Sequence, residues 1–141
     1  MKKQLYKLGL LAIILVSFGF QNITPDARLI DYLGKEKVEI LQKNNPDLIR
    51  YYNYFLDNSY MVSTVPQDKI ADNSFPELIL PLQGTKVDTK KLNVLKLNIQ
   101  RKYDQRLYFK VKDSHDIFVF LSEKEFMEKY NAYRKANGLI K

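Results

Sequence analysis

The chain has 141 residues, no cysteine, one histidine and a formal charge of +7. That length holds one domain. The missing cysteines exclude disulfides, a cysteine nucleophile and lipid anchoring through a cleavage-site cysteine, so stability must come from an apolar core, which about 120 residues can supply.

Lys2, Lys3 and Lys7 precede an uncharged, mostly apolar run, Leu8–Phe20, with Ser17 and Gly19 as small residues before a cut at Phe20. This is the layout of a secretory signal peptide over residues 1–19, with the mature domain at 20–141. The run of 13 residues is shorter than the roughly 20 that cross a bilayer. The mature chain is therefore expected to lack an integral span, an uncleaved anchor being the alternative. Export implies a periplasmic or extracellular location.

Thr24-Pro25-Asp26 predicts a helix start, with a threonine cap, proline at the first helical position and an acid in the first turn. Leu29, Ile30 and Leu33 form its apolar side and Gly34 its end. Lys35–Lys43 predicts a second short helix with Val38 and Leu41 on one face. Asn45-Pro46-Asp47 repeats the cap signature and opens a third helix that runs to Asp57. There Leu48, Tyr51, Tyr52, Phe55 and Leu56 recur at helical spacing, the pattern of core packing. Tyr54 is expected off that face.

Past Asn58 the period changes. Tyr60–Val65 predicts a strand, Gln67–Pro76 a loop, and Glu77–Leu82 a short strand whose Pro81 implies that it lies at an edge or finishes there. Gly84–Lys91 is expected to be a polar connection. Leu95, Leu97 and Ile99 alternate with polar residues, as do Leu107, Phe109 and Val111, predicting two half-buried strands joined by a turn at 101–105. Ile117–Leu121 is apolar on both faces and predicts the most central strand. Ser122 and Glu125 form a capping box for a last helix with Phe126, Met127, Tyr130 and Tyr133 on one side, stopping near Gly138. The expected class is α+β: N-terminal helices, a four- to five-stranded, mainly antiparallel sheet with one solvent face, and a C-terminal helix packed on the other.

Asp113-Ser114-His115-Asp116 gathers residue types that hydrolases use. It falls between two predicted strands, where Asp and Ser favour tight turns by bonding local amides. Catalysis needs a serine and a histidine facing each other with a third group orienting the ring, and a single histidine without cysteine is a thin metal-ligand set. The reading is a turn, with neither catalytic nor metal residues assigned. No phosphate loop or nucleophile elbow is present, and no cofactor is expected.

Charge is uneven. Residues 20–83 carry 6 basic and 9 acidic side chains, residues 84–141 carry 14 and 7. Arg101, Lys102, Arg106, Tyr108, Lys110 and Lys112 are expected to share the outer face of the basic hairpin or cluster at its turn. Lysines alternating with tyrosine can hold a polyanion by charge and stacking. Export argues against nucleic acid, leaving an envelope protein or an anionic envelope polymer as partner. The expectation is an exported, non-enzymatic accessory or binding protein of the bacterial cell envelope. The alternative is a small hydrolase of envelope material using acids around the 66–76 loop (Asp68, Asp72, Glu77), with or without His115.

Overall fold

Caps decide where the first helices begin. The computed structural model describes residues 22–64 and 75–141; the signal peptide expected at 1–19 and residues 67–74 of the expected loop lie outside the described residues. Helix α1 runs Ala27–Leu33, α2 Lys35–Asn44 and α3 Pro46–Asn58. Thr24 does not cap α1. Asp26 does, accepting the Arg28 backbone N–H at 2.8 Å while its other carboxylate oxygen holds the Arg28 guanidinium at 2.8 Å. A hydroxyl cannot make that bidentate contact, so the start moves past Pro25. Gly34 ends α1 at φ 87, ψ 150, backbone that side chains rarely adopt. Asn45 caps α3 through Leu48 N–H with Pro46 at its start, as the sequence predicts.

The strands are β1 (Tyr60–Thr64), β2 (Glu77–Leu78), β3 (Leu82–Gln83), β4 (Lys86–Val87), β5 (Leu107–Val111) and β6 (Asp116–Phe120); α4 (Glu123–Ala136) closes the chain. One sheet has the order β1-β6-β5-β2, and β3 pairs with β4 as a separate hairpin. The class is α+β, and the larger sheet is mixed: β1–β6 and β5–β6 are antiparallel, whereas β2 lies parallel to β5 at the edge.

Three predicted segments differ. Glu77–Leu82 is not one strand: it is divided between β2 and β3, which belong to different sheets. The alternation at 95–99 is not a strand: Val94–Leu97 forms a 3-10 turn. Asn93 caps it by accepting Leu95 N–H, and Asn98, at φ 51, stops it. Local amide capping outweighs alternation here. The predicted hairpin joining 95–99 to β5 therefore does not form. Nor is 84–91 a plain connection, because Gly84 at φ 64 turns the β3–β4 hairpin.

Phe118 and Phe120 of β6 face the helices and, with Leu29, Ile49, Leu56 and Phe126, form the core. Ile117 and Val119 alternate with them toward the outer face and are buried as well. That face is thus not uniformly open: Met61 and Tyr108 are exposed on it, but its centre is covered. Ile49, which the sequence reading passed over, is fully buried in α3. Met127, expected among the packed residues of α4, is exposed.

Tyr54 is also misplaced by the helical count. Its ring stacks on Tyr133 at 4.6 Å and lies 5.9 Å from Phe126, and its hydroxyl donates to the Lys129 carbonyl. Tyr51 meets Phe126 and Tyr130 edge-on at 5.5 and 5.3 Å. An aromatic layer thus joins α3 to α4, widening the packed side of α3 beyond the predicted stripe.

Candidate functional site

The Asp113–Asp116 cluster is the β5–β6 turn, extended at one end into β6. Asp113 takes φ 59, an angle aspartate tolerates better than most residues. Ser114 Oγ donates to the Thr85 carbonyl at 2.6 Å and accepts Asp116 N–H at 3.0 Å. Asp116 is buried at the first position of β6, where one carboxylate oxygen accepts the Thr64 hydroxyl at 2.8 Å and the other Val87 N–H at 2.9 Å. Both side chains therefore tie the β3–β4 hairpin to the main sheet. His115 is exposed. Among the described residues no group of three His, Asp or Glu comes together as metal ligands.

Of the acids proposed for a hydrolytic site, Asp68 and Asp72 lie outside the described residues. Glu77 is exposed on edge strand β2, in register with Lys110.

The six basic-face residues separate into three settings. Tyr108, Lys110 and Lys112 follow strand alternation toward the outer face. Tyr108 is 40% exposed and stacks on the equally exposed Phe75 at 5.5 Å. Lys110 is half-buried and already engaged, while Lys112 is exposed beyond the end of β5.

Arg106 belongs to a second setting. Its Nε donates to Glu125 Oε2 at 2.9 Å, and its Nη2 binds the same carboxylate. The arginine's hydrogen bond holds the Glu125 carboxyl below the usual range. The capping box is consequently half-formed: Ser122 Oγ accepts Glu125 N–H at 3.2 Å, but the glutamate side chain turns to Arg106. The carbonyls of Lys102 and Tyr103 accept Glu123 and Lys124 N–H, completing the helix start. Lys102 itself is exposed, its ammonium 3.4 Å from Gln105 Oε1.

Arg101 is the third setting and does not join the outer face. Its guanidinium carbon sits 4.7 Å from the Phe55 ring centre, 5.1 Å from Phe126 and 5.9 Å from Phe120. Nη1 is buried with no hydrogen-bond partner, and no carboxylate pairs with the group among the described residues. Ring faces offset about 0.5–2 kcal/mol of such desolvation, whereas an unpaired buried donor costs about 1–3 kcal/mol. Phe55 and Phe120 also line a groove of about 470 Å³ with Tyr32, Val94, Asn98 and Gln100. Sequence reasoning missed this setting because the three rings under Arg101 come from α3, β6 and α4, and nothing local to 101 signals them.

A second arginine, Arg28, is saturated. It bridges Asp26 and Asp57, each at 2.8 Å, and reaches toward the Leu92 carbonyl at 3.4 Å. It lines a wider cleft of about 820 Å³ with Tyr60, Met61, Thr89 and Lys90. Its charge is spent on joining α1 to the end of α3.

No protein-family model matches the chain, and neither a curated protein nor a solved structure does.

Proposed function

We propose that the chain is an exported, non-enzymatic accessory or binding protein of the bacterial cell envelope, located in the periplasm or outside the cell, that holds an anionic envelope partner, protein or polymer, at the rim of the outer sheet face. The observation that carries this reading is the exposed stack of Phe75 on Tyr108 of β5, with exposed Lys112 just past the end of that strand. Flat rings and an ammonium group on one sheet face suit a partner with acidic groups and apolar or sugar faces. The positive balance of residues 84–141 steers such a partner to this half. The export pattern of residues 1–19 supports the location. Ser114 and Asp116 are occupied in holding the turn, which favours binding over hydrolysis there.

The test is cross-linking of the tagged protein in its native envelope, with mass spectrometry of the captured material, for wild type and the double variant Tyr108→Ala/Lys112→Glu. Wild type is expected to capture a defined envelope component, and the variant to lose it with an unchanged circular-dichroism spectrum. Equal capture by the folded variant removes this site.

A further inference from the structure

Strand β1 is the long edge of the main sheet: it ends the order β1-β6-β5-β2 and has 5 residues against the 2 of β2. Its hydrogen-bonding phase follows from one contact and the register. Leu121 N–H donates to the Ser59 carbonyl at 2.9 Å, and Tyr60 lies opposite Phe120, Met61 opposite Val119. Bonded and non-bonded pairs alternate in an antiparallel ladder, so Met61 and Ser63 bond β6. The backbone N–H and C=O groups of Tyr60, Val62 and Thr64 therefore point away from the sheet. Among the described residues no strand and no hydrogen bond meets them. The space beside them is open, a cleft of about 820 Å³ lined by Tyr60, Met61 and Val62 together with Arg28, Asp57 and Lys90. The strand itself, YMVST, lacks the charge and the proline that commonly guard an edge against pairing.

We propose that β1 pairs antiparallel with β1 of a second copy of this chain, joining two four-stranded sheets into one. An extended backbone is the chemistry that answers a row of outward amides and carbonyls. Those at 60, 62 and 64 are symmetric about Val62, so a two-fold axis there lets each outward group meet a complementary one. Tyr60 then lies opposite the partner's Thr64, an aromatic–β-branched pair of the kind that stabilises sheets, and Val62 opposite the partner's Val62. The cleft balances Asp26 and Asp57 against Arg28 and Lys90. Two copies thus meet there without net repulsion, although the whole chain is basic. The proposal is independent of the β5 rim, because β6 lies between β1 and β5.

The test is sedimentation equilibrium of the full chain from about 1 μM to 1 mM, the range in which a small interface associates, with amide hydrogen exchange at both ends. A reversible monomer–dimer equilibrium is expected. The amides of Tyr60, Val62 and Thr64 should exchange about tenfold or more slowly in the concentrated sample, while Met61 and Ser63 stay protected in both. Val62→Pro removes an outward N–H that β6 does not use and should weaken the dimer by about tenfold or more. Ser63→Lys sets an ammonium group on the exposed face opposite the partner's Met61 and should weaken it by about threefold or more. A chain that stays monomeric throughout, a dimer whose amides at 60, 62 and 64 gain no protection, or an unchanged dissociation constant in Val62→Pro overturns the proposal. Should Val62→Pro fail to fold, Ser63→Lys decides: unchanged dissociation there overturns it as well.

Discussion

Asp116 and Ser59 are both buried polar residues of the sheet region, and they should respond oppositely to truncation. Asp116 accepts two hydrogen bonds, one from the Val87 amide. Removing its carboxylate leaves donors without partners, so Asp116→Ala should cost about 1–3 kcal/mol, with Asp116→Asn losing less because an acceptor oxygen remains. Ser59 Oγ is fully buried with no partner. Its backbone accepts Leu121 N–H and donates to Phe55, and alanine keeps both contacts. Ser59→Ala should therefore leave stability equal or higher. Urea unfolding of the three variants checks the contrast, and a loss in Ser59→Ala comparable to that in Asp116→Ala would refute it. The hydrolase-like lettering of 113–116 is thus a set of struts. Sequence alone identified the turn, yet could not show that Asp116 reaches Thr64 and Val87, which are distant in the chain.

Among the elements, α4 shows how a local signal can be half right. Ser122 is its N-cap, as the S-x-x-E spacing predicts. Long-range pairing with Arg106 then draws the Glu125 side chain away from the box. Ser122→Ala should destabilise by about 1 kcal/mol, the usual value of a cap. Because Glu125 no longer caps, Glu125→Gln should act mainly through Arg106 and leave the helical circular-dichroism signal intact. A loss of helix in Glu125→Gln matching that in Ser122→Ala would restore the full box. The same competition explains which elements were legible. The helices at 35–44 and 46–58, strand β1 and strand β6 carry caps or apolar patterns that tertiary packing reinforces. The 94–97 segment carries an alternation that Asn93 and Asn98 override through their own amide contacts and backbone angles. Of the six basic-face residues, strand parity located Tyr108, Lys110 and Lys112. Arg101 and Arg106 were placed by a hairpin that does not form, and their true partners are set by α3, β6 and α4.

At the scale of the whole molecule, titratable groups place limits on stability from both sides of neutrality. Hydrogen bonding from Arg28 depresses the Asp26 carboxyl, and Lys96 does the same for Asp31. A depressed carboxyl stabilises the fold fully above its ordinary value, and that contribution is lost as pH falls through the depressed one. Tyr52, Tyr54, Tyr60 and Tyr130 are all pushed up, first by burial. Raised tyrosines stabilise fully below about pH 10 and lose that contribution as pH rises through their folded values. Urea midpoints should therefore be nearly flat from about pH 5 to 9 and fall below about pH 4 and above about pH 10. Arg28→Met separates the two limbs. It should lower the plateau and make the acid limb shallower, since Asp26 would then titrate nearer its unfolded value. The part of the alkaline limb that Tyr54 and Tyr130 carry through the α3–α4 ring layer should stay in place, whereas Tyr60, which Arg28 pulls down, should titrate later. An acid limb of unchanged steepness in Arg28→Met would mean that the Asp26–Arg28–Asp57 clamp does not link pH to folding. A plateau lowered together with an earlier alkaline fall would instead mean that the clamp and the ring layer share one cooperative unit through α3, which carries both Asp57 and Tyr54.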